Sequence, residues 1–174
     1  MRKISFITLF FLSAIQLISQ CNYEINRVDP FTEKNEQLTE AIVIARKVKR
    51  NNALPLRKVL AQLKNFGGEM KFILKFPLTA VMSPTFYDRD QESHLMILLE
   101  NGTKVKLKVA QLMGNQEEGI EFRYAIDFIL KAADIRMLKQ SSIKALRVAM
   151  KSNSFDVNVE SDAARVLKNS LDCI

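Results

Sequence analysis

The stretch that decides the fold runs from His94 to Val109 and reads HLMILLENGTKVKLKV. At its centre, Asn101 and Gly102 separate two runs of residues that favour extended backbone. An Asn-Gly pair in this position is the strongest short-range signal for a β-hairpin, because a type I′ turn needs positive φ at both central residues. The sequence therefore predicts an antiparallel hairpin with Asn101 and Gly102 as its two loop residues.

This turn would also set the register of the hairpin, with Glu100 opposite Thr103. The pairs on one face are then Leu98 with Val105, Met96 with Leu107, and His94 with Val109. The pairs on the other face are Leu99 with Lys104, Ile97 with Lys106, and Leu95 with Lys108. We expect the first face to line the core and the lysine stems to lie along aliphatic neighbours. The first strand, apolar on both faces, is predicted to be central, and the second to have one face in solvent.

The rest of the chain predicts an α+β fold in which an antiparallel sheet is built from hairpins. A second hairpin is expected at Gly67-Gly68, with Phe72, Leu74 and Phe76 on one face of its second strand. Residues 38–50 fit both a helix and a strand, and the β-branched residues favour a strand. Helices are predicted near 127–138, with Asp127 as the N-cap, and near 162–172, with Asp162 as the cap.

The first residues predict a targeting segment. Met1-Arg2-Lys3 precedes an apolar run, Ile4 to Ile18, as in a secretory signal peptide. We assign residues 1–20 to the signal, 21–37 to a linker or N-terminal segment with a turn at Asp29-Pro30, and 38–174 to a single α+β domain. The expected location is outside the cytoplasm, in the periplasm, anchored to the outer membrane, or secreted.

The two cysteines, Cys21 and Cys173, leave two alternatives open. Leu17 to Cys21 resembles a bacterial lipoprotein signal, in which Cys21 would carry a lipid that anchors the protein to a membrane surface. Alternatively, Cys21 and Cys173 form a disulfide, which exported proteins retain and which closes a loop worth about 4 to 5 kcal/mol in the chain-entropy model. The two alternatives exclude each other, because the lipid occupies the sulfur.

Four elements in the second half occur in a recognisable order. They are LENGTKVKL at 99–107, Tyr124-Ala125-Ile126 ahead of a helix, Ile143 to Arg147, and a final helix ending at Cys173. This pattern resembles small exported or lipid-anchored proteins of Bacteroidota-type bacteria. The resemblance implies a secreted or surface-anchored domain and carries over no catalytic residue.

Catalytic signatures are sparse in this sequence. The chain has one histidine, His94, and it has no nucleophile elbow, phosphate-binding glycine loop or Cys-x-x-Cys pair. We therefore expect a non-enzymatic accessory, adhesion or ligand-binding module without a cofactor. The alternative is a metal-dependent enzyme or calcium-binding protein. In an extended segment alternate residues point the same way, so carboxylates and an imidazole at every second position could surround one cation. The residues for that site would be Asp88, Asp90, Glu92 and His94.

Positive charge suggests a second kind of site. The chain carries a formal charge of +7, and Lys104, Lys106 and Lys108 form a row with a spacing of about 6.7 Å along their strand. Such a row could bind an anionic glycan or an acidic protein. The alternative is that these lysines protect an edge strand from aggregation. Nucleic acid is not expected, because an exported protein does not meet it and no aromatic-interleaved basic motif is present.

Overall fold

Antiparallel strands dominate the computed structural model, which describes residues 21–50, 53–78, 93–116, 122–150 and 153–174. The fold is broadly α+β, with a ten-stranded sheet and two short helices in these residues. The strands are β1 (Tyr23–Val28), β2 (Asn35–Thr39), β3 (Ile42–Arg50), β4 (Ala53–Phe66), β5 (Glu69–Leu78), β6 (His94–Leu99), β7 (Lys104–Gln116), β8 (Phe122–Leu130), β9 (Ile143–Met150) and β10 (Asn153–Asn158). The helices are α1 (Ala132–Gln140) and α2 (Ser161–Ser170).

The sheet order brings distant strands together. The strands follow the order β1-β2-β4-β5-β8-β7-β6-β9-β10, and β3 pairs with β4. Strand β4 is long enough for β2 and β3 to pair with different parts of it. The sheet curls so that β10 lies beside β3. There the backbone N–H of Glu160 donates to the carbonyl oxygen of Ile44 at 2.9 Å.

One continuous apolar core lies on the inner face of this curled sheet. Its largest fully buried side chains are Phe72, Phe76, Phe128, Ile44, Leu63, Leu74, Leu95, Ile97, Leu99, Leu107, Ile126 and Leu138. Helix α2 adds Ala163 and Leu167 to the core and packs against β3 and β9, and Leu171 joins the core just after the helix ends. Helix α2 begins at Ser161, one residue before the predicted start. Its N-cap is Glu160, whereas the predicted cap, Asp162, lies in the first turn.

The predicted β4–β5 hairpin is confirmed. Phe66 pairs with Glu69, so Gly67 and Gly68 are the two loop residues. Their φ values are 58° and 89°, the conformation that a type I′ turn requires and that glycine adopts without strain. Phe72, Leu74 and Phe76 of β5 share the buried face, as the alternation predicted.

The predicted register of the β6–β7 hairpin is wrong by one residue. The N–H of Leu99 donates to the Thr103 carbonyl at 2.9 Å, and the N–H of Gly102 donates to the Leu99 carbonyl at 3.0 Å. The loop is therefore Glu100-Asn101-Gly102, a turn closed by a glycine with a φ of 84°. A shift of one residue exchanges the faces of β6. Its buried face carries Leu95, Ile97 and Leu99, while His94, Met96 and Leu98 lie opposite the lysines.

The positions of the two hairpin strands in the sheet are as predicted. Strand β6 lies between β7 and β9 and is central. Strand β7 has Val105 and Leu107 buried and its lysines exposed.

The predicted helix start at Asp127 is wrong. Residues Phe122–Leu130 form β8, which pairs with β5 on one side and β7 on the other, and α1 begins at Ala132. The side chains that fit a helical stripe, including Ile129 and Leu130, lie on opposite faces of a strand instead. Pairing with two neighbouring strands overrides the local helical pattern, as tertiary context often does.

The N-terminal segment is part of the sheet and not a linker. Residues 21–37 contain β1 and the start of β2, which pair with each other, and β2 pairs with β4. The predicted turn at Asp29-Pro30 is present, where the Asp29 carboxylate accepts hydrogen bonds from the N–H groups of Phe31 and Thr32. Residues 42–50 form β3, the strand that β-branched composition favoured.

Candidate anion-binding surface

A row of three lysines marks the outer face of β7. Lys104, Lys106 and Lys108 occupy alternate positions of this strand, and all three side chains are exposed. Alternate residues of a strand point to the same face with a spacing of about 7 Å. None of the ion pairs among the described residues involves these lysines. The lysine row therefore presents three positive charges without an ion-pair partner in the described parts of the chain.

An apolar strip lies beside the lysine row on the same face. His94 lies opposite Lys108, and next to it along β6 are Met96 and Leu98, all partly buried. On the far side of this strip, β9 contributes Arg147 opposite Met96. The surface thus has positive charges along one side and mostly apolar side chains beside them. This arrangement suits a ligand that has anionic groups along one side.

Arg147 adds little free charge to this surface. Its guanidinium donates two hydrogen bonds of 2.6 Å to the carboxylate of Asp156 on β10. The hydrogen bonds from Arg147 hold the pKa of Asp156 below its usual value, and Asp156 in turn raises the pKa of Arg147. On this face, the positive charge that could bind an anionic ligand is therefore mainly that of the lysine row.

The part of β7 that carries the lysine row pairs on one side only in the described structure. Its pairing with β6 covers Lys104–Lys108, whereas its pairing with β8 begins at Val109. The strand as a whole is internal, because β8 lies beside its second half. The predicted edge strand is therefore wrong for β7 as a whole, but it describes the stretch with the lysines.

The four predicted metal-site residues are not all visible. Asp88, Asp90 and Glu92 lie outside the described residues. His94 is the first residue of β6 and lies opposite Lys108, instead of opposite Val109 on the core face as predicted. Within the described ranges, no group of three or more His, Cys, Asp or Glu residues is arranged to hold a metal ion.

The structure joins the two predicted cysteines in a disulfide. Cys21 and Cys173 have Cα atoms 5.7 Å apart and are separated by 152 positions in the chain. Nearby, the hydroxyl of Tyr23 donates to the carbonyl oxygen of Cys173. This is the second of the two alternatives for Cys21, and it connects β1 to the end of α2.

Sequence reasoning did not find the buried carboxyl group of Asp127. This side chain is 4% exposed, and its Oδ1 atom has no hydrogen-bond partner in the structure described. Burial raises the pKa of Asp127, and the positive charges of Lys71, Lys64 and Lys75 partly oppose that rise. The available signal is an aspartate inside the apolar stretch AIDFIL, which the sequence pattern instead assigns to a helix cap.

Comparison of the chain with protein-family models, with curated proteins and with solved structures finds no match. The resemblance to small exported bacterial proteins stays a prediction. No helix in the described parts of the chain has the length and apolar character needed to span a membrane.

Proposed function

We propose that this protein is an exported, non-enzymatic module that binds an anionic ligand through the lysine row. The observation that carries the proposal is the set of three exposed ammonium groups on one strand face, with no acidic partner among the described residues. A ligand whose negative charges are spaced along its length would interact with all three at once. Such complementarity also speeds association, because the field of the row attracts the ligand before contact.

Export is supported by two independent features of the chain. The predicted signal segment at residues 1–20 would direct the protein out of the cytoplasm. The disulfide between Cys21 and Cys173 is of a kind that persists in oxidising compartments. Since that bond occupies the sulfur of Cys21, we propose a domain free of a lipid on this residue.

The proposal is tested by chromatography on a sulfated glycan resin. The test variant carries Lys104→Gln, Lys106→Gln and Lys108→Gln. A matched control carries Lys34→Gln, Lys58→Gln and Lys168→Gln, which remove the same charge from the loop before β2, from β4 and from α2.

We expect the row variant to bind about tenfold more weakly than the wild type, from roughly 0.5 kcal/mol for each exposed contact. The control should elute close to the wild type, and raising the salt should weaken wild-type binding. If both variants elute at the same lower salt concentration, net charge and not the row governs binding. That result would contradict the proposal.

A further inference from the structure

We infer that the anionic partner is an extended acidic polypeptide segment, which adds a strand to the sheet along the open side of β7 at Lys104–Leu107. This inference rests on the proposed function and specifies its ligand. Recognition would have two parts, since backbone hydrogen bonds provide strand pairing and the lysine row provides selectivity for acidic side chains.

The first observation is the open side itself. Strand β6 pairs with Lys104–Lys108, but β8 pairs with β7 only from Val109 onward, opposite Phe128. Strand β8 ends at Leu130 and the chain enters α1 at Ala132. Among the described residues, no strand pairs with Lys104–Leu107 on that side.

The second observation is the direction of the backbone groups. The hydrogen bond from the Leu99 N–H to the Thr103 carbonyl makes this a hydrogen-bonded pair. Such pairs alternate along antiparallel strands, so the next ones toward Lys108 are those of Val105 and Leu107. The N–H and C=O groups of Lys104 and Lys106 therefore point away from β6, toward the open side. Lys104 and Lys106 thus offer a ligand both their exposed ammonium groups and the backbone N–H and C=O groups on the open side.

The third argument concerns selectivity. Lysines on an open strand normally discourage pairing, and a second copy of this protein would bring its own lysine row against the first. A segment with a carboxylate at every second position meets the opposite condition, because each carboxylate would lie directly across from a lysine. A glycan can neutralise the lysines but lacks the alternating amide groups that the open side would bind. The geometry thus favours a polypeptide.

The test uses a labelled peptide of sequence Thr-Glu-Val-Glu-Val-Thr, with one glutamate for each of Lys104 and Lys106, and the intact disulfide-bonded protein, measured by fluorescence anisotropy. In an antiparallel arrangement, like that of the strand pairs described in this sheet, a glutamate opposite Lys104 or Lys106 would use its own N–H to bond the lysine carbonyl, whereas the valine N–H groups would point to solvent. One peptide variant is therefore N-methylated at the glutamates and another at the valines. Both keep the same charge.

We expect methylation of the glutamates to weaken binding at least about tenfold relative to methylation of the valines, because two or more hydrogen bonds are lost. On the protein side, Lys106→Pro should bind the unmodified peptide more weakly than Lys106→Gln. Both remove the charge, but only proline removes the N–H that faces the open side. If Lys106→Pro does not fold, the two methylated peptides alone decide.

The alternative results separate this inference from the proposed function. Equal binding of the two methylated peptides overturns strand addition. Binding of a sulfated glycan, but not the peptide, in a manner that depends on the lysine row also overturns it, and leaves the proposed function standing. If replacing Lys104, Lys106 and Lys108 weakens binding of neither the peptide nor the glycan, both proposals are overturned.

Discussion

Asp127 is an acidic residue whose side chain is buried in the sheet. Its carboxyl group lies in the middle of β8, between strands β5 and β7, and its Oδ1 atom finds no donor among the described groups. Desolvation disfavours the charged form of a buried acid, which is why burial raises the pKa of Asp127 above its ordinary 3.8. Folding therefore favours the protonated form of this side chain.

The substitution Asp127→Asn tests this at the residue scale. Because its pKa is higher in the folded than in the unfolded state, the native carboxyl group lowers stability at neutral pH, so the amide, which does not titrate, should raise the free energy of unfolding by about 1 kcal/mol. The sign follows from linkage. A folded-state pKa above the unfolded value means that the wild type regains stability as the pH falls through the folded pKa. The gain from the amide should therefore shrink in acid, as measured by urea unfolding from pH 7 to pH 3.

Asp156→Asn provides a control of opposite sign. The pKa of Asp156 is lowered by its hydrogen bonds to Arg147. Its contribution to stability is thus present above the unfolded pKa and lost as the pH falls through the folded one. The amide should destabilise the protein at neutral pH, by a small amount because both partners are exposed. If Asp127→Asn also lowers stability at pH 7, the account of Asp127 is wrong.

Gly102 gives a second test at this scale. Its φ is 84°, and a Cβ atom placed there would contact nothing within 4 Å. Only backbone strain should therefore separate substitutions at this site. We expect Gly102→Val to cost about 1 to 3 kcal/mol, and Gly102→Asn to cost less, because asparagine tolerates this conformation. Thermal melting of both variants checks this expectation, and equal losses would contradict it.

At the scale of elements, the β6–β7 hairpin shows what a sequence can specify. Asn101 and Gly102 correctly marked the turn, but the same pair also ends a three-residue loop whose glycine has positive φ. Alternation could have chosen between the registers only if β6 had a polar face. Since Leu95 to Leu99 are all apolar, either face of β6 could have been buried.

The sequence predicted one part of the candidate site, the lysine row, but not the open side of β7. The lysines share a face because of the period of two within β7, whatever its register. The open side of β7 depends on where β8 ends, and β8 ends at Leu130 because the chain turns into α1 there. That position was assigned to a helix beginning at Asp127. The sequence thus predicted an edge at the lysines, but not the end of β8 that leaves this side open.

Helix α2 gives a prediction about how an element is fastened to the sheet. Leu167 is 1% exposed and packs in the core, while the neighbouring Val166 is 47% exposed. Leu167→Ala should lower the free energy of unfolding by about 2 to 5 kcal/mol, because it removes a buried side chain and leaves a cavity. Val166→Ala, the matched control, should cost under about 0.5 kcal/mol. Similar losses in chemical denaturation would argue against this packing.

At the scale of the whole molecule, the disulfide connects the first described strand to the last helix. Cys21 lies just before β1 and Cys173 lies just after α2, so the bond closes a loop that contains all the described elements. The sequence left this bond as one of two alternatives, because a cysteine near a signal can also carry a lipid. The structure supports the disulfide, because it places the Cα atoms of Cys21 and Cys173 5.7 Å apart.

The double substitution Cys21→Ser and Cys173→Ser tests the contribution of this bond. We expect a loss of about 2 to 5 kcal/mol in urea unfolding, since the bond restricts the unfolded chain. A reducing agent should destabilise the wild type by a similar amount and leave the variant unchanged. Mass spectrometry of the native protein should find Cys21 without a lipid, and an acylated Cys21 would contradict the assignment.

The same bond has a mechanical consequence. Where a pulling force acts on the two ends of the chain, the covalent link between Cys21 and Cys173 carries the tension, and the strands and helices between them are bypassed. Stretching the oxidised protein would extend only the residues outside the two cysteines. Once the link is cleaved, the same force would reach the sheet and begin to peel β1 away from β2.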